Sequence, residues 1–563
     1  MQMTSSAISA TTPKKRVLVI PAAGSGQRFR ELGKKYPKCI LPVSGSPIIA
    51  HIVGAFTESY DHPIFDQVVI STGSAEHKEQ IEGALASSKF NTPVSVVLVD
   101  VPATVKPSPA ISLAAACSEA VSILGEDCDV TVFLSDMLPS RSHTVDQVVA
   151  MHTDTWGVVP KDDNDFARWC MVERSPHGLM FFDKPETKPD TDLAAVGVYR
   201  YSSACDIVMA VEQLLGFGNG IIPECWTKEE MQFSHLATVY QRAFNHVLTL
   251  HEYSADEFRD FGTLEEYLAN KGLSRCRSFN RIVDNGRTIT KLSKQYTKIR
   301  DEAVWMLHAP HQIASYIPRV IRSDLQNGTV EMQKIRSNNL RDVALYLDNS
   351  YETWVEIFQN IDGYLEATRA TKVNYEFNVE FWDSMERKTN ARAEGLVGTT
   401  HQDWLKNEFP KAIKILRAKG SADPVVYYHG DLHFANMFYC FTYKDLHVID
   451  PRGEMRGSSF YDIAKLAHTA IGRYDYIDAD MYVMGPNGAE FYDAGHENVA
   501  RAFHDVILKG WSADDLWLLY TLVASLFLSM IPLHADNRQH QQLFYREFER
   551  FVKMAKTCTP IGV

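Results

Sequence analysis

Three stretches of the chain hold residues whose types and spacing suit work on phosphates or on a small ligand. Near the amino end the apolar run Val17–Pro21 leads into Ala22-Ala23-Gly24-Ser25-Gly26-Gln27-Arg28, and Lys38 follows ten residues after Arg28. Glycines at such a turn let backbone N–H groups approach a phosphate closely. A Gly-x-Gly turn after a strand also suits a tight strand-to-helix turn with no ligand at all. In the second half His429, Asp431 and Asn436 follow the pattern H-G-D-x-x-x-x-N, and Asp450 comes directly after the apolar run Leu446–Ile449. Further on, Gly472–Tyr482 interleaves Tyr474, Tyr476 and Tyr482 with Asp475, Asp478 and Asp480. Aromatic faces beside carboxylates suit a quaternary ammonium, each cation–π contact being worth about 0.5 to 2 kcal/mol. The same carboxylates also suit sugar hydroxyls. Tyr476 and Asp478 are the candidate substrate contacts of that segment.

Taken together, PAAGSGQRF and YPKCILPVSGSPI resemble the signature of the sugar-phosphate and phosphocholine nucleotidyltransferase family. The resemblance implies that the loop with Ala23, Gly24 and Gly26 wraps a nucleoside triphosphate, with Arg28 and Lys38 as the cations on its phosphates. It continues, in the family's order, through FLSDML, FFDKP, AAVGVY and FRDFGTLEEY. By it, Asp136 and Asp260 are the carboxylates that hold magnesium, and Lys184 contacts the acceptor phosphate. Where many sugar-specific members carry a Gly-rich segment that reads the base, this chain has VPATVKPSPAISLAAA, which leaves the nucleobase open.

The second motif set, VVYYHGDLHFANMF followed by LHVIDPRG, resembles the aminoglycoside phosphotransferase and choline kinase family, relatives of the protein kinases. That resemblance implies Asp431 as the acceptor of a substrate hydroxyl's proton, Asn436 and Asp450 as magnesium ligands on ATP, and His429 as a brace of the loop. Lys291 and Glu302 resemble the nucleotide-orienting lysine and its carboxylate partner. Lys294 competes with Lys291 for that role; strand alternation with Ile289 and Leu292 favours Lys291. Asp462 is expected to act as an N-cap or a brace. His433 and Arg452 read as loop packing or surface residues.

The elements that must position these residues follow from periodicity. From Arg16 to about Asn270 short β-branched runs alternate with helical stretches, which predicts an α/β domain over 14–270 with a doubly wound, mostly parallel sheet. The first 13 residues read as a disordered tail. After a junction at KGLSRC, the turn Asp284-Asn285-Gly286 signals a hairpin and long amphipathic helices follow. Residues 275–563 therefore read as an α+β domain, and the phosphotransferase resemblance implies that it is two-lobed and of protein-kinase type. The 18 residues Leu516–Leu533 are almost wholly apolar and approach a bilayer span. Asp514 and Asp515 precede them and no Lys/Arg cluster flanks them, so a buried helix is expected rather than membrane insertion.

A formal net charge of −13 argues against nucleic acid as the main partner, because its backbone would repel the chain. Nine cysteines without a C-x-x-C pair fit free thiols and a cytoplasmic setting. The two motif sets compose into one pathway, since a kinase makes the phosphomonoester that a nucleotidyltransferase consumes. The expectation is a bifunctional, magnesium-dependent enzyme that phosphorylates a choline-like alcohol with ATP and joins the product to a nucleotidyl group, from CTP, with release of pyrophosphate. One alternative is a sugar kinase joined to a uridylyl- or guanylyltransferase using UTP or GTP. Another is a catalytically inactive scaffold that senses nucleotides, against which the retention of Asp136, Asp260, Asp431, Asn436 and Asp450 weighs. Small molecules are the expected partners, and the sequence is silent on oligomeric state.

Overall fold

The computed structural model describes residues 14–558 other than 25–28, 30–34, 44–45, 59–61, 87, 101–104, 162–165, 217–228, 272–279, 294–295, 348, 373–376, 397, 399, 420–424, 486–487 and 494. Gly26, Arg28 and Lys294, named above, and the expected tail 1–13 lie outside the described residues. The chain divides into two compact units, the first running to Gly272 and the second starting at Leu273.

In the first unit, β1 (Arg16–Pro21) carries Val17, Leu18, Val19 and Ile20 with no exposure at all. A strand apolar on consecutive residues must be covered on both faces, which is the condition at the centre of a parallel sheet. Accordingly β1 pairs in parallel with β2 (Gln67–Thr72), and β2 pairs in parallel with β3 (Val94–Leu98). The chain then crosses back through α1 (Pro109–Leu124) to β4 (Asp129–Phe133), which lies parallel on the other side of β1. The crossover helix starts on a proline in its first turn and stops at Gly125, whose φ of +73° is the left-handed cap that glycine adopts without a Cβ penalty. Ala110, Leu113, Ala116, Cys117 and Ala120 form its fully buried face, and their small volumes let the helix lie close to the sheet.

The remaining strands are β5 (Met137–Pro139), β6 (Thr155–Pro160), β7 (Cys170–Ser175), β8 (Gly178–Asp183), β9 (Leu193–Tyr201), β10 (Thr249–Glu252) and β11 (Phe258–Asp260). The nine-stranded sheet runs β8-β7-β9-β4-β1-β2-β3, with β6 paired to β9 and to β10. It is parallel from β3 to β4, and β9 enters antiparallel to both β4 and β6. In the order β3-β2-β1-β4 the direction of winding reverses between β1 and β4. The crevice beyond the carboxyl ends of those two strands is where such sheets hold ligands. The helix α2 (Leu264–Lys271) follows β11.

The second unit opens with four antiparallel strands, β12 (Asn280–Asp284), β13 (Thr288–Ser293), β14 (Val320–Asp324) and β15 (Thr329–Gln333), in the order β12-β13-β15-β14. Gly286, with φ of +80°, turns the first hairpin as the Asn-Gly pair predicts. Helix α3 (Tyr296–Leu307) lies between β13 and β14 in the chain. A helix-rich region follows, which includes α4 (Phe377–Ala393), the hairpin β16 (Met437–Cys440) and β17 (Asp445–Val448), α5 (Ser459–Ala470), α6 (Ala513–Met530) and α7 (Arg538–Thr557). Helix α6 is started by a capping box in which Ser512 and Asp515 exchange hydrogen bonds. It then buries Trp517 to Ser529 without a break, packed against α4, α5 and α7. Its apolar stretch is long enough to cross a membrane by length and composition, but 72% of that stretch is buried inside the protein. A helix covered on all sides has no need of a polar face, and this accounts for its composition.

Candidate functional site

The first unit brings Lys38, Asp136 and Asp260 together at the sheet's crevice. Asp136 lies just beyond β4, and the short strand β5 that follows it pairs antiparallel with β11, setting Asp260 opposite Met137. The Phe261 N–H donates to the Asp136 carbonyl at 2.8 Å, which locks the two segments in register. Their carboxylates converge on Gly262: a Cβ there would stand 3.0 Å from Asp260 Oδ1 and 3.4 Å from Asp136 Oδ2. The Gly262 N–H donates to Asp260 Oδ1 at 2.7 Å, and the Asn270 amide holds the Asp260 carbonyl at 2.7 Å. Thr263 and Glu266 cap α2 reciprocally, with the Thr263 N–H donating to Glu266 Oε2 at 3.0 Å and the Glu266 N–H to Thr263 Oγ1 at 3.2 Å. The D-F-G-T-L-E-E string is thus a carboxylate, a glycine that makes room for it and a helix start that fixes it. The hydroxyl of Tyr267, on the same helix, ties it to the Pro42 carbonyl at 2.7 Å.

Lys38, on a short 3-10 turn, makes an ion pair with Asp136 Oδ2. Burial, and then the neighbouring charge of Asp136, push the Asp260 carboxyl up to about 6. Two carboxylates held this close repel each other unless a cation lies between them. Their oxygens, with the space that a Cβ at 262 would fill, fit a hard divalent cation such as magnesium, whose other ligands are water and phosphate. Among the described residues there is no group of three or more His, Cys, Asp or Glu side chains that would hold a metal without such outside ligands. Ala23 and Gly24 follow β1 at the same end of the sheet, and a Cβ at Gly24 would meet no described residue within 4 Å. Lys184 follows β8 with φ of +46° and an exposed side chain; its N–H bonds the Trp169 carbonyl at 2.9 Å. That side chain makes no hydrogen bond or ion pair with a described residue, Asp136 and Asp260 included.

The second unit assembles its own set. The loop His429–Asn436 leads into β16, and Asp450 follows β17. Pairing of those strands, with the Ile449 N–H on the Asn436 carbonyl at 2.9 Å, sets Asn436 beside Asp450. The Asn436 amide N–H donates to the Asp431 carbonyl at 3.0 Å, which leaves its oxygen as a donor to a cation. Asp450 takes a φ of +58°, a left-handed conformation that aspartate tolerates better than most residues, and its carboxylate meets Lys291 from β13. Lys291 Nζ also donates to Glu302 Oε1 on α3 at 2.6 Å. Against burial, which works the other way, Glu302 and Asp450 hold the Lys291 ammonium above its ordinary range, so it stays charged.

His429 is fully buried. Its Nδ1 accepts the Asp431 N–H at 3.3 Å, which leaves Nε2 to carry the proton and to donate to the Ile449 carbonyl at 2.9 Å. Burial pushes its imidazole down to about 4, so it is neutral and acts as a strut between the loop and β17. The loop rests on Asp462, itself with no exposure, whose two carboxylate oxygens each accept one backbone N–H, from His429 and from Gly430, both at 2.8 Å. Asp462 is therefore a brace; the N-cap of α5 is Ser458. Asp431 itself pairs with Lys465 Nζ at 2.8 Å and stands 3.5 Å from His433 Nε2. Against enclosure, which favours the neutral acid, Lys465 and then His433 hold its carboxyl well below the ordinary carboxylate range. Sequence reasoning missed Lys465, although it stands three residues after Asp462 and so on the same face of α5.

The structure corrects the expected role of Tyr476 and Asp478. Tyr476 is 2% exposed, with its ring against Phe491 and His496 and its hydroxyl on the Ala344 carbonyl at 3.2 Å. Asp478 is neutralised by Arg341 at 3.0 Å. Asp480 is buried on His540 at 2.6 Å. The aromatic and acidic groups of this segment pack and pair with the protein itself, so they are not a free cage for a ligand cation.

Comparison with known proteins addresses the first unit. Residues 18–253 match the MobA-like NTP transferase domain family. The first unit carries this NTP transferase domain, and the family model ends just short of the strand that delivers Asp260. Similar solved structures include a Bacillus anthracis protein named as a glucose-1-phosphate thymidylyltransferase, 20% identical, covering 47% of this chain and 98% of its own at a TM-score of 0.36. The nucleoside-diphosphate-sugar pyrophosphorylase from Vibrio cholerae is 16% identical, with 45% and 99% covered and a TM-score of 0.34. A UTP-bound UGPase from Acinetobacter baumannii is 18% identical, with 46% and 92% covered and a TM-score of 0.33. No curated protein matches the chain.

Proposed function

We propose that the NTP transferase domain joins a nucleoside triphosphate to a phosphomonoester, and that the second unit makes such a monoester by phosphorylating a hydroxyl with ATP. The observation that carries the first half is the convergence of Asp136, Asp260 and Lys38 at the switch point of the sheet. In the first reaction an acceptor phosphate oxygen bonds to the α-phosphorus of the triphosphate, the bond to the β-phosphate oxygen breaks, and pyrophosphate leaves. Asp136 and Asp260 would hold a magnesium ion, which when bound supplies neutralisation of the phosphate charge. Lys38 would trade Asp136 for a phosphate oxygen, and the backbone N–H groups of Ala23 and Gly24 would help to cradle the triphosphate. No protein nucleophile is required.

The second half rests on the Lys291–Glu302–Asp450 arrangement and on the Asp431 loop. Lys291, held charged, suits orientation of ATP phosphates, and Asn436 with Asp450 would hold the second unit's magnesium. Asp431 suits acceptance of the hydroxyl proton as the oxygen bonds to the γ-phosphorus and ADP leaves. Choline as acceptor drew on Tyr476 and Asp478, and it loses that support. Mass spectrometry of products formed from ATP with CTP, UTP or GTP and a panel of alcohols and phosphomonoesters tests the proposal. A nucleoside diphosphate conjugate plus pyrophosphate supports it; triphosphate hydrolysis without any conjugate contradicts it.

A further inference from the structure

Basic side chains from three segments of the second unit gather around the Asp431 loop. On α4, Trp382, Met385, Thr389 and Ala393 are buried, one face of the helix at spacings of three and four. Phe381, Lys388 and Arg392 form the neighbouring stripe. The Phe381 ring meets Tyr428 and Tyr461 edge-on, at centroid distances of 5.5 and 5.7 Å. Tyr428 immediately precedes the Asp431 loop and Tyr461 immediately precedes its brace, so Phe381 faces the loop, and Lys388 further along the stripe feels the charges of Arg452 and Lys465. Arg452 also lies against the loop. Its N–H donates to the His429 carbonyl at 2.9 Å, and its Cβ packs where a side chain on Gly430 would otherwise stand. Lys465 completes the set on Asp431.

Four basic side chains, Lys388, Arg392, Arg452 and Lys465, thus share this place with three carboxylates, of which Asp462 is spent on the His429 and Gly430 N–H groups. Asp431 is taken by Lys465, while Glu454 stands 3.6 Å from Arg452 and accepts the Tyr428 hydroxyl at 2.5 Å. Lys388 and Arg392 are half-buried, and neither makes a hydrogen bond or ion pair with a described residue. Burial, then Arg452, Arg392 and Lys465, push the Lys388 ammonium down to about 7. Burial and Arg452 also lower the Arg392 guanidinium, whose neighbour is Tyr461. Gathering like charges partly out of water costs free energy that a bound anion would return.

We propose that the alcohol phosphorylated by the second unit carries a negative group, a carboxylate or a phosphoryl group, and that Lys388 and Arg392, backed by Arg452, bind that group beside Asp431. This rests on the phosphotransferase reading of the second unit. The anionic group is unchanged in the reaction: the hydroxyl oxygen bonds to the γ-phosphorus, its proton passes to Asp431, and the bond to the β-phosphate oxygen of ATP breaks. A cationic acceptor such as choline would instead meet the like charges of Lys388, Arg392 and Arg452.

The test uses the full chain with ATP and magnesium and seven acceptors: glycerate, glucuronate and glycerol 3-phosphate as anions, glycerol and glucose as neutral compounds, choline and glucosamine as cations. Phosphorylation of an anionic member in preference to its neutral counterpart is expected, and whether the carboxylates or glycerol 3-phosphate lead identifies the group. Lys388→Gln and Arg392→Gln should each raise the KM of that acceptor about tenfold or more while the KM of ATP stays within about twofold. Lys388→Arg, which keeps the charge, should restore it and so separates charge loss from misfolding. Preference for choline, glucosamine, glucose or glycerol, with a ranking that Lys388→Gln leaves unchanged, overturns the anion site but keeps the kinase. A rise in the KM of ATP alone also overturns it, since the cluster would then serve ATP. Calorimetric binding of glycerol 3-phosphate that Lys388→Gln abolishes, with no ATP consumed on any acceptor, instead keeps the anion site and sinks the kinase reading.

Discussion

Asp260→Asn removes one of the two carboxylates that meet at Gly262 while keeping an oxygen to accept the Gly262 N–H at its 2.7 Å position. In the folded protein, burial and Asp136 push the Asp260 carboxyl from 3.8 up to about 6. A folded value above the unfolded one means that folding binds a proton between about pH 4 and 6. The contribution of this group is therefore fully present below about pH 4 and lost as the pH rises through 6. At about 1.4 kcal/mol per pH unit the full loss is about 3 kcal/mol, and partial solvent access reduces it to about 1 to 2 kcal/mol. Without metal at pH 8 the variant should accordingly be more stable than the parent by about that amount, and at pH 4 the difference should vanish. Magnesium should reverse the order at pH 8, since it stabilises only the form with both carboxylates. Urea unfolding of the first unit, followed at both pH values with and without magnesium, measures all of these. A variant less stable than the parent at pH 8 without metal, or equally stabilised by magnesium, would refute the reasoning.

Three further outcomes follow from the second unit. Asp462→Ala leaves two buried N–H groups unpaired, at about 1 to 3 kcal/mol each; because burial pushes Asp462 up to about 7, its contribution fades as the pH rises through 7. Urea midpoints should thus fall more at pH 5 than at pH 8, and an equal fall at both would contradict the assignment. Glu302→Gln should raise the KM of ATP about tenfold with little change in stability, by releasing Lys291 from its 2.6 Å partner; an unchanged KM in an ATP titration would remove Lys291 from the nucleotide site. Phe527→Ala should cost about 3 to 5 kcal/mol, because the ring is fully buried against His468 and Phe551; a loss under 1 kcal/mol in thermal unfolding would deny that α6 is a core helix.

Much of the first site was legible because its signals are local. A glycine turn after a buried strand, an aspartate at a strand's end and a D-x-G-T helix start each declare themselves within a few residues. The loop around Asp431 was legible for the same reason. The antiparallel entry of β9 was not, since a run such as Ala194–Tyr199 reads alike in either direction and only its partners decide. Nor could the Tyr/Asp segment be resolved from sequence, because aromatic and acidic residues serve a ligand cage and a paired core equally well. Its deciding partner, Arg341, stands 137 positions before Asp478. Lys465 and the Lys388–Arg392 stripe were missed on similar grounds: a lysine on a helix looks solvated until the fold shows what it faces.

In the proposed scheme two constellations, around Asp136 and around Asp431, carry two reactions that share a phosphomonoester. It is tested most directly by measuring two products, pyrophosphate from a nucleoside triphosphate with a ready-made phosphomonoester and ADP from ATP with the free alcohol, in the parent, Asp136→Ala and Asp431→Asn. Asp136→Ala is expected to lose pyrophosphate release by about 100-fold or more and to keep ADP formation, and Asp431→Asn to do the reverse. Equal loss of both reactions in either folded variant, or full pyrophosphate release by Asp136→Ala, would contradict it.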